Sequence, residues 1–508
     1  MDDTTEHKTR RPHRKSRNGC TRCKERRIKC DELTPRCSRC HRMNLDCQYV
    51  KRQPFAEDAA DPIDALLLQL QVSPHPGSPE SSGHESASSP LSTASSASLL
   101  VPRHEKRPGS PLRMTHMQTL APAELDLFKH YLEHTSKDLT VDEDDQYTLQ
   151  VGIPNLACQS KPLMRSVLAL AAICRCCDMI GQPDPGRAQV AELLALADGY
   201  HMESLREIQA TLPKVKQYDH VLANAAMMGM YGSGSHRTRI WLAQTAHPDA
   251  PYPMPKHSQW ISLFRAAYLA YAGLLPPESP HSPAAFDYKL TPHLTSPLPP
   301  IFHPLSPLLA ATITPALAKL HAKSLTLPAG DPDVAACQTA LTLLTSVAAR
   351  AFAPADPSPT VDVEIDPGAG RLAEVSPWLR RYTASITSMV PSRLPRRTIM
   401  AFIHKAPAGF LGLVEDMISL MQAAPGEGAA EGPGVAHRFA MEVFAHWLVL
   451  VVLLDNVWWI GGIGAWELGR IVQFRRGCRW GGDVWGGGDW WPEGMWEVAR
   501  QFERFRGP

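Results

Sequence analysis

Six cysteines within the first fifty residues have the type and spacing of metal ligands. They fall into two halves with the same pattern, C-x2-C-x6-C, and six residues separate the halves. A C-x2-C pair lets two thiolates reach one metal ion from a tight turn, with zinc–sulfur bonds of about 2.3 Å. The predicted ligands are Cys20, Cys23, Cys30, Cys37, Cys40 and Cys47.

The number of ligands predicts how many metal ions are bound. Two tetrahedral zinc ions need four ligands each, and six thiolates satisfy both ions only if two of the sulfurs bind both. By the symmetry of the two halves, the shared ligands are the first cysteine of each, Cys20 and Cys37. The pattern therefore predicts a cluster of two zinc ions.

Other uses of these cysteines are less favoured. A disulfide framework is typical of secreted proteins, and the polar segment Met1–Arg17 predicts no secretory signal. A redox C-x-x-C pair of the thioredoxin type needs a βαβ context that is not evident here. The remaining six cysteines follow no ligand spacing, and Cys174, Cys176 and Cys177 lie in an apolar helical stretch where a thiol behaves as a small hydrophobic group.

A segment this short cannot fold by burying apolar surface, so metal binding would supply its folding free energy. Each C-x2-C turn is expected to lead into a short helix, over Lys24–Lys29 in the first half and His41–Asp46 in the second. The first of these helices is strongly basic. Its cationic residues are Lys24, Arg26, Arg27 and Lys29.

These residues resemble the binuclear zinc cluster (six-cysteine) transcription factors of fungi. The likeness covers residues 18–50, from Asn18-Gly19-Cys20 through Cys47, and it includes Pro35 in the loop between the halves. The resemblance implies that a helix of the module enters the major groove of double-stranded DNA and reads CGG triplets. It assigns that reading to the basic pair before the third cysteine, here Arg26 and Arg27, although the family often has lysine at the second position.

Arginine can donate two hydrogen bonds to guanine O6 and N7, so we expect Arg27 to contact a base. Lys24, Arg26 and Lys29 complete the predicted DNA-binding set. For any one of them the alternative is a contact with a phosphate, which positions the protein without reading sequence. The second half of the cluster is less basic and is expected to support the fold and phosphate contacts.

The charge distribution agrees with a polyanionic partner for one end of the chain. Residues 1–52 hold 16 Lys/Arg and 7 Asp/Glu, a net charge of +9, whereas the whole chain has a net charge of +1. The basic tail over residues 1–17 is expected to be disordered and is compatible with a nuclear import signal or a DNA-contacting arm. We therefore expect the protein to be in the nucleus.

Residues 51–118 are predicted to be a linker. Residues 73–98 contain 11 serines, several prolines and almost no bulky apolar side chains, a composition that predicts disorder. Residues 61–72 could form one short helix with an apolar face, which is too short for a coiled coil. We interpret it as a docking patch more readily than as a dimerisation zipper, and a homodimer is left open.

From residue 119 to residue 506 the pattern predicts an all-α domain. Segments rich in Pro or Gly around 275–308, 353–370 and 424–434 are interpreted as loops, and residues 361–366 are the one short strand candidate. The predicted helices are Leu163–Ile180, Ala188–Leu205, Tyr218–Tyr231, Ser258–Leu274, Asp333–Phe352, Phe410–Gln422 and Val435–Asp455, with a further face marked by Leu125, Phe128 and Leu132.

This second part of the chain resembles the regulatory domain of the zinc cluster subfamily that includes the yeast sterol uptake regulators. The likeness is carried by Phe128–Leu132, Pro162–Ala172 and His446–Gly461. It implies an all-helical regulatory domain, with an internal hydrophobic pocket in those members that sense sterol. A hydrophobic small-molecule ligand is therefore left open as a partner.

The sequence predicts a regulatory protein and not an enzyme, since no catalytic constellation and no complete phosphate-binding loop is evident. Nine of the twelve tryptophans lie between Trp447 and Trp496, which is expected from core packing. Residues 447–466 are interpreted as a buried helix and turn, because Asp455 and three glycines disfavour a membrane span. The predicted function is a sequence-specific transcription factor of RNA polymerase II genes, with a secondary-metabolite gene cluster as its target by family analogy. The alternative is a lipid- or sterol-responsive regulator.

Overall fold

Helix is the regular structure that the computed structural model shows. It describes residues 37–43, 120–141, 143–211, 218–246, 257–274, 303–352, 370–387, 395–422, 433–477 and 490–506. Of these residues 84% are helical and none is in a strand. The chain divides into two units, Met1–Ala60 and Asp61–Pro508, and each is described by itself.

In the first unit one helix is described, α1 (Ser38–Arg42). In the second unit two irregular helices open the fold, and a π-helical turn interrupts each of them, at Tyr131–Thr135 and at Thr148–Gly152. A 3₁₀ turn lies at Gly370–Glu374. The α-helices of this unit are α2 (Pro122–His130), α3 (Ser136–Leu139), α4 (Glu143–Tyr147), α5 (Ile153–Ala157), α6 (Lys161–Ile180), α7 (Arg187–Thr211), α8 (Tyr218–Gln244), α9 (His257–Ala272), α10 (Ser306–Ser324), α11 (Pro332–Ala351), α12 (Pro377–Ile386), α13 (Pro395–Lys405), α14 (Ala408–Gln422), α15 (Val435–Val452), α16 (Ile463–Gly477) and α17 (Trp491–Arg506).

The all-α prediction is confirmed, and all seven predicted helices of the body are present with shifted ends. The largest difference is α8, which continues to Gln244 instead of ending at Tyr231. Gly232 and Gly234 suggest a break, but α8 is buried along this stretch, and packing outweighs the cost of about 1 kcal/mol for each glycine.

Proline makes the loop prediction wrong at one point. Residues 306–308 belong to a predicted loop, whereas they form the first turn of α10. Proline is tolerated in the first turn of a helix because the backbone N–H groups there have no intrahelical partner. Six of the helices use it in this way. Their first-turn prolines are Pro122, Pro154, Pro162, Pro307, Pro332 and Pro377.

Two layers of helices share one core in this unit. Helix α6 packs against α7 and α8, and α8 packs against α9, while α15 packs against α11, α14 and α16. A buried polar cluster ties the first three together, since Ser166 Oγ donates to Asn224 Oδ1 at 2.8 Å and Ser204 Oγ donates to the Pro162 carbonyl at 2.7 Å. Buried hydroxyl and amide groups require such partners.

Helix α15 is the most deeply buried long helix of the body. Trp447 is fully buried on it, and its Nε1 donates to the Ile399 carbonyl of α13 at 2.9 Å. Two helices, Pro332–Ala351 and Val435–Val452, are long and apolar enough to cross a membrane, with 44% and 83% of the tested windows buried. Core helices of soluble proteins pass the same test, so this is weak evidence for a span.

The chain turns sharply after α15, as the interpretation of a buried helix and turn requires. Gly462 has φ of 81°, a conformation that side chains disfavour. At Gly464 a Cβ atom would lie 2.7 Å from the Val452 backbone nitrogen, so α16 can begin against the end of α15 only without a side chain there. The tryptophans of this region that are described lie in the core or pack against it.

We predict that Gly464→Ala lowers the unfolding temperature of the full-length protein. The added methyl group meets backbone atoms that cannot move independently, and overpacking of this kind costs about 1–3 kcal/mol. Gly412→Ala is the matched control, because nothing lies within 4 Å of the position that its added methyl group would take on α14. Calorimetry should show a lower unfolding temperature for the first variant and an equal or higher one for the control. Equal values for both variants would contradict the close approach of α15 and α16.

Candidate metal centre

The second C-x2-C pair of the predicted cluster lies within the described residues. Cys37 directly precedes α1, and Cys40 lies in its first turn. Side chains three positions apart lie on the same face of a helix, so the turn brings the two sulfurs to one side. Cys37 is 0% exposed and Cys40 is 2% exposed.

A backbone hydrogen bond to sulfur fixes this turn. The Cys40 N–H donates to Cys37 Sγ at 3.4 Å. Cys37 thus occupies the position and role of a helix N-cap, where a side-chain acceptor takes the N–H three residues on. Hydrogen bonding to an ionised acceptor favours its charged form, and the thiolate is the form that binds metal.

The position of α1 differs from the sequence prediction. The pattern places the second short helix over His41–Asp46, after the C-x2-C turn, whereas α1 begins at Ser38 and Met43 is already in a turn. The physical reason is the sulfur cap, which lets the helix begin directly after Cys37. The two cysteines are therefore part of the helical turn itself.

Polar and apolar side chains separate around α1. Ser38, Arg39 and Arg42 are exposed, as is Met43, while the two cysteines are buried. Arg39 and Arg42 are three positions apart and therefore lie on one face. The sequence analysis did not single out these two arginines, although cationic residues between ligand cysteines are a usable signal for a phosphate-contacting face.

The other predicted site residues lie outside the described residues. This applies to the ligands Cys20, Cys23, Cys30 and Cys47, and to the DNA-contacting set Lys24, Arg26, Arg27 and Lys29. Their roles remain predictions. Among the described residues no group of three or more His, Cys, Asp or Glu side chains could hold a metal ion.

The described cysteines of the helical body do not have the properties of metal ligands. Cys174, Cys176 and Cys177 are buried, as expected for small hydrophobic groups in an apolar helix. Burial raises the pKa of Cys174 and of Cys337 to about 12. These thiols therefore stay protonated near neutral pH, whereas the buried pair before and within α1 fits a zinc site.

Comparison with known proteins identifies the domain to which this pair belongs. Residues 18–54 match the fungal Zn(2)-Cys(6) binuclear cluster domain. The chain therefore carries this domain, which binds two zinc ions. This confirms the resemblance stated from the cysteine pattern and the predicted cofactor.

The similar proteins are transcription factors of the same type. The Zn(2)-C6 fungal-type transcription factor afumD of Aspergillus fumigatus is 30% identical over 161 residues, which is 32% of this chain and 33% of that protein. Sterol uptake control protein 2 of Candida albicans is 56% identical over 41 residues, 8% of this chain and 6% of that protein. The protein of the same name from Saccharomyces cerevisiae is 54% identical over 46 residues, 9% of this chain and 5% of that protein. The matched part thus spans at most about a third of these relatives.

We predict that Cys37→Ala removes more zinc from the full-length protein than Cys40→Ala does. In the shared-sulfur arrangement Cys37 binds both ions, whereas Cys40 binds one. Zinc per chain, measured by inductively coupled plasma mass spectrometry, should fall furthest in the Cys37 variant. Cys158→Ala, a half-buried thiol of the helical body, is the control and should keep two equivalents. Two zinc ions retained in the Cys37 variant would refute its assignment as a shared ligand.

Proposed function

We propose that the protein is a sequence-specific DNA-binding regulator of RNA polymerase II transcription that acts in the nucleus. The observation that carries this proposal is the match of residues 18–54 to the fungal Zn(2)-Cys(6) binuclear cluster domain. The similar proteins named transcription factors support it. In this proposal the zinc cluster binds DNA and the helical body regulates that activity.

The recognition step is assigned to the first half of the cluster. Lys24, Arg26, Arg27 and Lys29 are the cationic residues that precede the third cysteine. We assign Arg27 to the guanine edge of a CGG triplet, because a two-pronged arginine contact discriminates bases by about 1–3 kcal/mol. The other three supply contacts to neighbouring bases and phosphates.

The second half of the cluster is assigned to the DNA backbone. Arg39 and Arg42 are exposed on α1, and the buried cysteine pair fixes the turn that carries them. A short, fixed helical turn with two cations on one face suits phosphate contacts, which set the position of a protein on DNA. The net charge of +9 over residues 1–52 strengthens the electrostatic attraction.

The target genes are a finer proposal. A secondary-metabolite gene cluster is supported by family analogy alone. The lipid- or sterol-responsive alternative draws on the sterol uptake control proteins, but those alignments cover 41 and 46 residues, far fewer than the helical body contains. We therefore retain the first target. A homodimer on paired sites remains open and can be read from the binding stoichiometry.

We predict that Arg27→Ala reduces the preference of the full-length protein for a CGG duplex over a scrambled duplex. The substitution removes a base contact, so the ratio of the two affinities should fall by about 5- to 150-fold. Fluorescence anisotropy titrations at several salt concentrations measure both the ratio and its salt dependence. The slope against salt should change little.

Arg39→Gln is the matched control for this prediction. It removes a proposed phosphate contact, so both duplexes should be bound more weakly by similar factors, and the salt slope should fall by about one unit. Lys8→Ala, in the basic tail, should likewise act mainly on the salt slope. Equal affinity of the unaltered protein for CGG and scrambled duplexes would overturn the proposal of sequence-specific binding.

A further inference from the structure

The helical body contains a cavity that the proposed DNA-binding function does not use. It lies where α8, α9, α12 and α13 approach one another, with α3, α4 and the turn after α15 completing its wall. Met230 of α8, Phe264 of α9 and Met400 of α13 supply much of its apolar surface, and all three are buried. A ligand there would touch elements from both layers of the fold.

The size of the cavity limits what it can hold. Centres of water-sized spheres can occupy about 60 Å³ of it, and the empty space between its walls and mouth is about 560 Å³. Since one buried water needs about 10–15 Å³ on the first measure, the enclosed part holds about four to six waters. This suits a compact ligand such as one ring with a short side chain, and it is too small for a sterol.

Aromatic rings form one side of the cavity. Phe264 stacks on His404 with ring centroids 4.7 Å apart, and on Trp459 with centroids 5.7 Å apart. All three residues line the cavity. Flat rings of this kind pack well against another planar apolar group.

Two nitrogen atoms of these rings are buried without a hydrogen-bond partner among the described residues. They are Trp459 Nε1 and His404 Nδ1. Trp459 is 6% exposed and His404 is 2% exposed. Burial lowers the pKa of His404 to about 3, so its ring is neutral and can donate or accept one hydrogen bond at each nitrogen. A buried N–H group without a partner costs about 1–3 kcal/mol, and a ligand that carries an acceptor would remove that cost.

The charged side chains of the lining sum to one positive charge. Arg396, Arg397 and Asp145 line the cavity. Asp145 accepts from Arg397 Nη2 at 2.5 Å through both carboxylate oxygens, so these two charges offset each other. Arg396 Nη2 donates to the Leu139 carbonyl at 2.6 Å, an uncharged group.

From these features we propose that the cavity binds a compact aromatic monocarboxylate. Its ring would lie against Phe264, and its carboxylate would accept hydrogen bonds from Trp459 Nε1 and the Arg396 guanidinium. Such a ligand bridges α13 to α8 and α9, and thereby gives the body an effector site. The proposal goes beyond DNA binding and holds or fails independently of it.

Isothermal titration calorimetry on the full-length protein tests this proposal with phenylacetate and phenylacetamide as probes. The two molecules have nearly the same shape and differ in charge. We expect one phenylacetate per chain, bound about 10- to 100-fold more tightly than the amide, the range expected for hydrogen bonds to a charged group. No binding of either probe, or equal affinity for both, would overturn the proposal.

Variants locate the site and separate charge from shape. Arg396→Gln should abolish the preference for the acid, and Arg396→Lys should retain most of it. Trp459→Phe keeps a ring but removes the N–H, and it should weaken phenylacetate binding about 5- to 10-fold. The matched controls are Arg206→Gln, exposed on α7, and Trp458→Phe, whose ring does not line the cavity.

Circular dichroism and the unfolding temperature confirm that each variant is folded. Unchanged phenylacetate affinity in both the Arg396→Gln and Trp459→Phe variants would place the ligand elsewhere and refute the site. Competition of ergosterol with phenylacetate, lost in the same variants, would also contradict the proposal, since it would require a much larger pocket.

Discussion

Bonds between cysteine sulfur and zinc are the interaction on which the amino-terminal unit depends. A segment of about forty residues buries too little apolar surface to fold by itself. The turn at Cys37 and Cys40 shows how the local structure accommodates metal ligands, because the Cys40 N–H bonds to the Cys37 sulfur and both side chains face inward. With the sulfurs held inside, the cations of α1 are left on the surface, where they can meet a polyanion. Metal binding, folding and DNA binding are in this sense a single property.

The helical body is stabilised in a different way. Its core is built around the long buried helices α6, α8 and α15, and polar contacts across long stretches of chain orient them. Buried pairs of this kind join α16 to α8 through Glu467 and His236, at 2.7 Å, and α10 to α15 through Lys323 and Glu442, at 2.5 Å. Removing one partner of such a pair would leave a buried charge uncompensated, which is costly. These contacts fix the relative positions of helices that also surround the cavity.

The sequence allowed some of this to be predicted and not the rest. The cysteine spacing was enough for the cluster, its zinc content and the fungal family, because ligand number and tetrahedral geometry leave few alternatives. The apolar stretches predicted the long helices, as at Leu163–Ile180. The start of α10 was missed because Pro307 resembles a helix breaker, and α1 was placed three residues late because sulfur capping has no familiar sequence signature. The ion pair of Arg397 with Asp145 joins residues far apart in the chain, and local periodicity carries no information about it. The cavity was beyond reach for the same reason.

X-ray absorption spectroscopy at the zinc edge on the full-length protein tests the central claim most directly. Two ions that share two sulfurs predict an all-sulfur first shell at about 2.3 Å, four sulfurs per ion, together with a zinc–zinc scattering contribution at short distance. A first shell that contains nitrogen or oxygen, or the absence of zinc–zinc scattering in protein that binds two equivalents, would contradict the account.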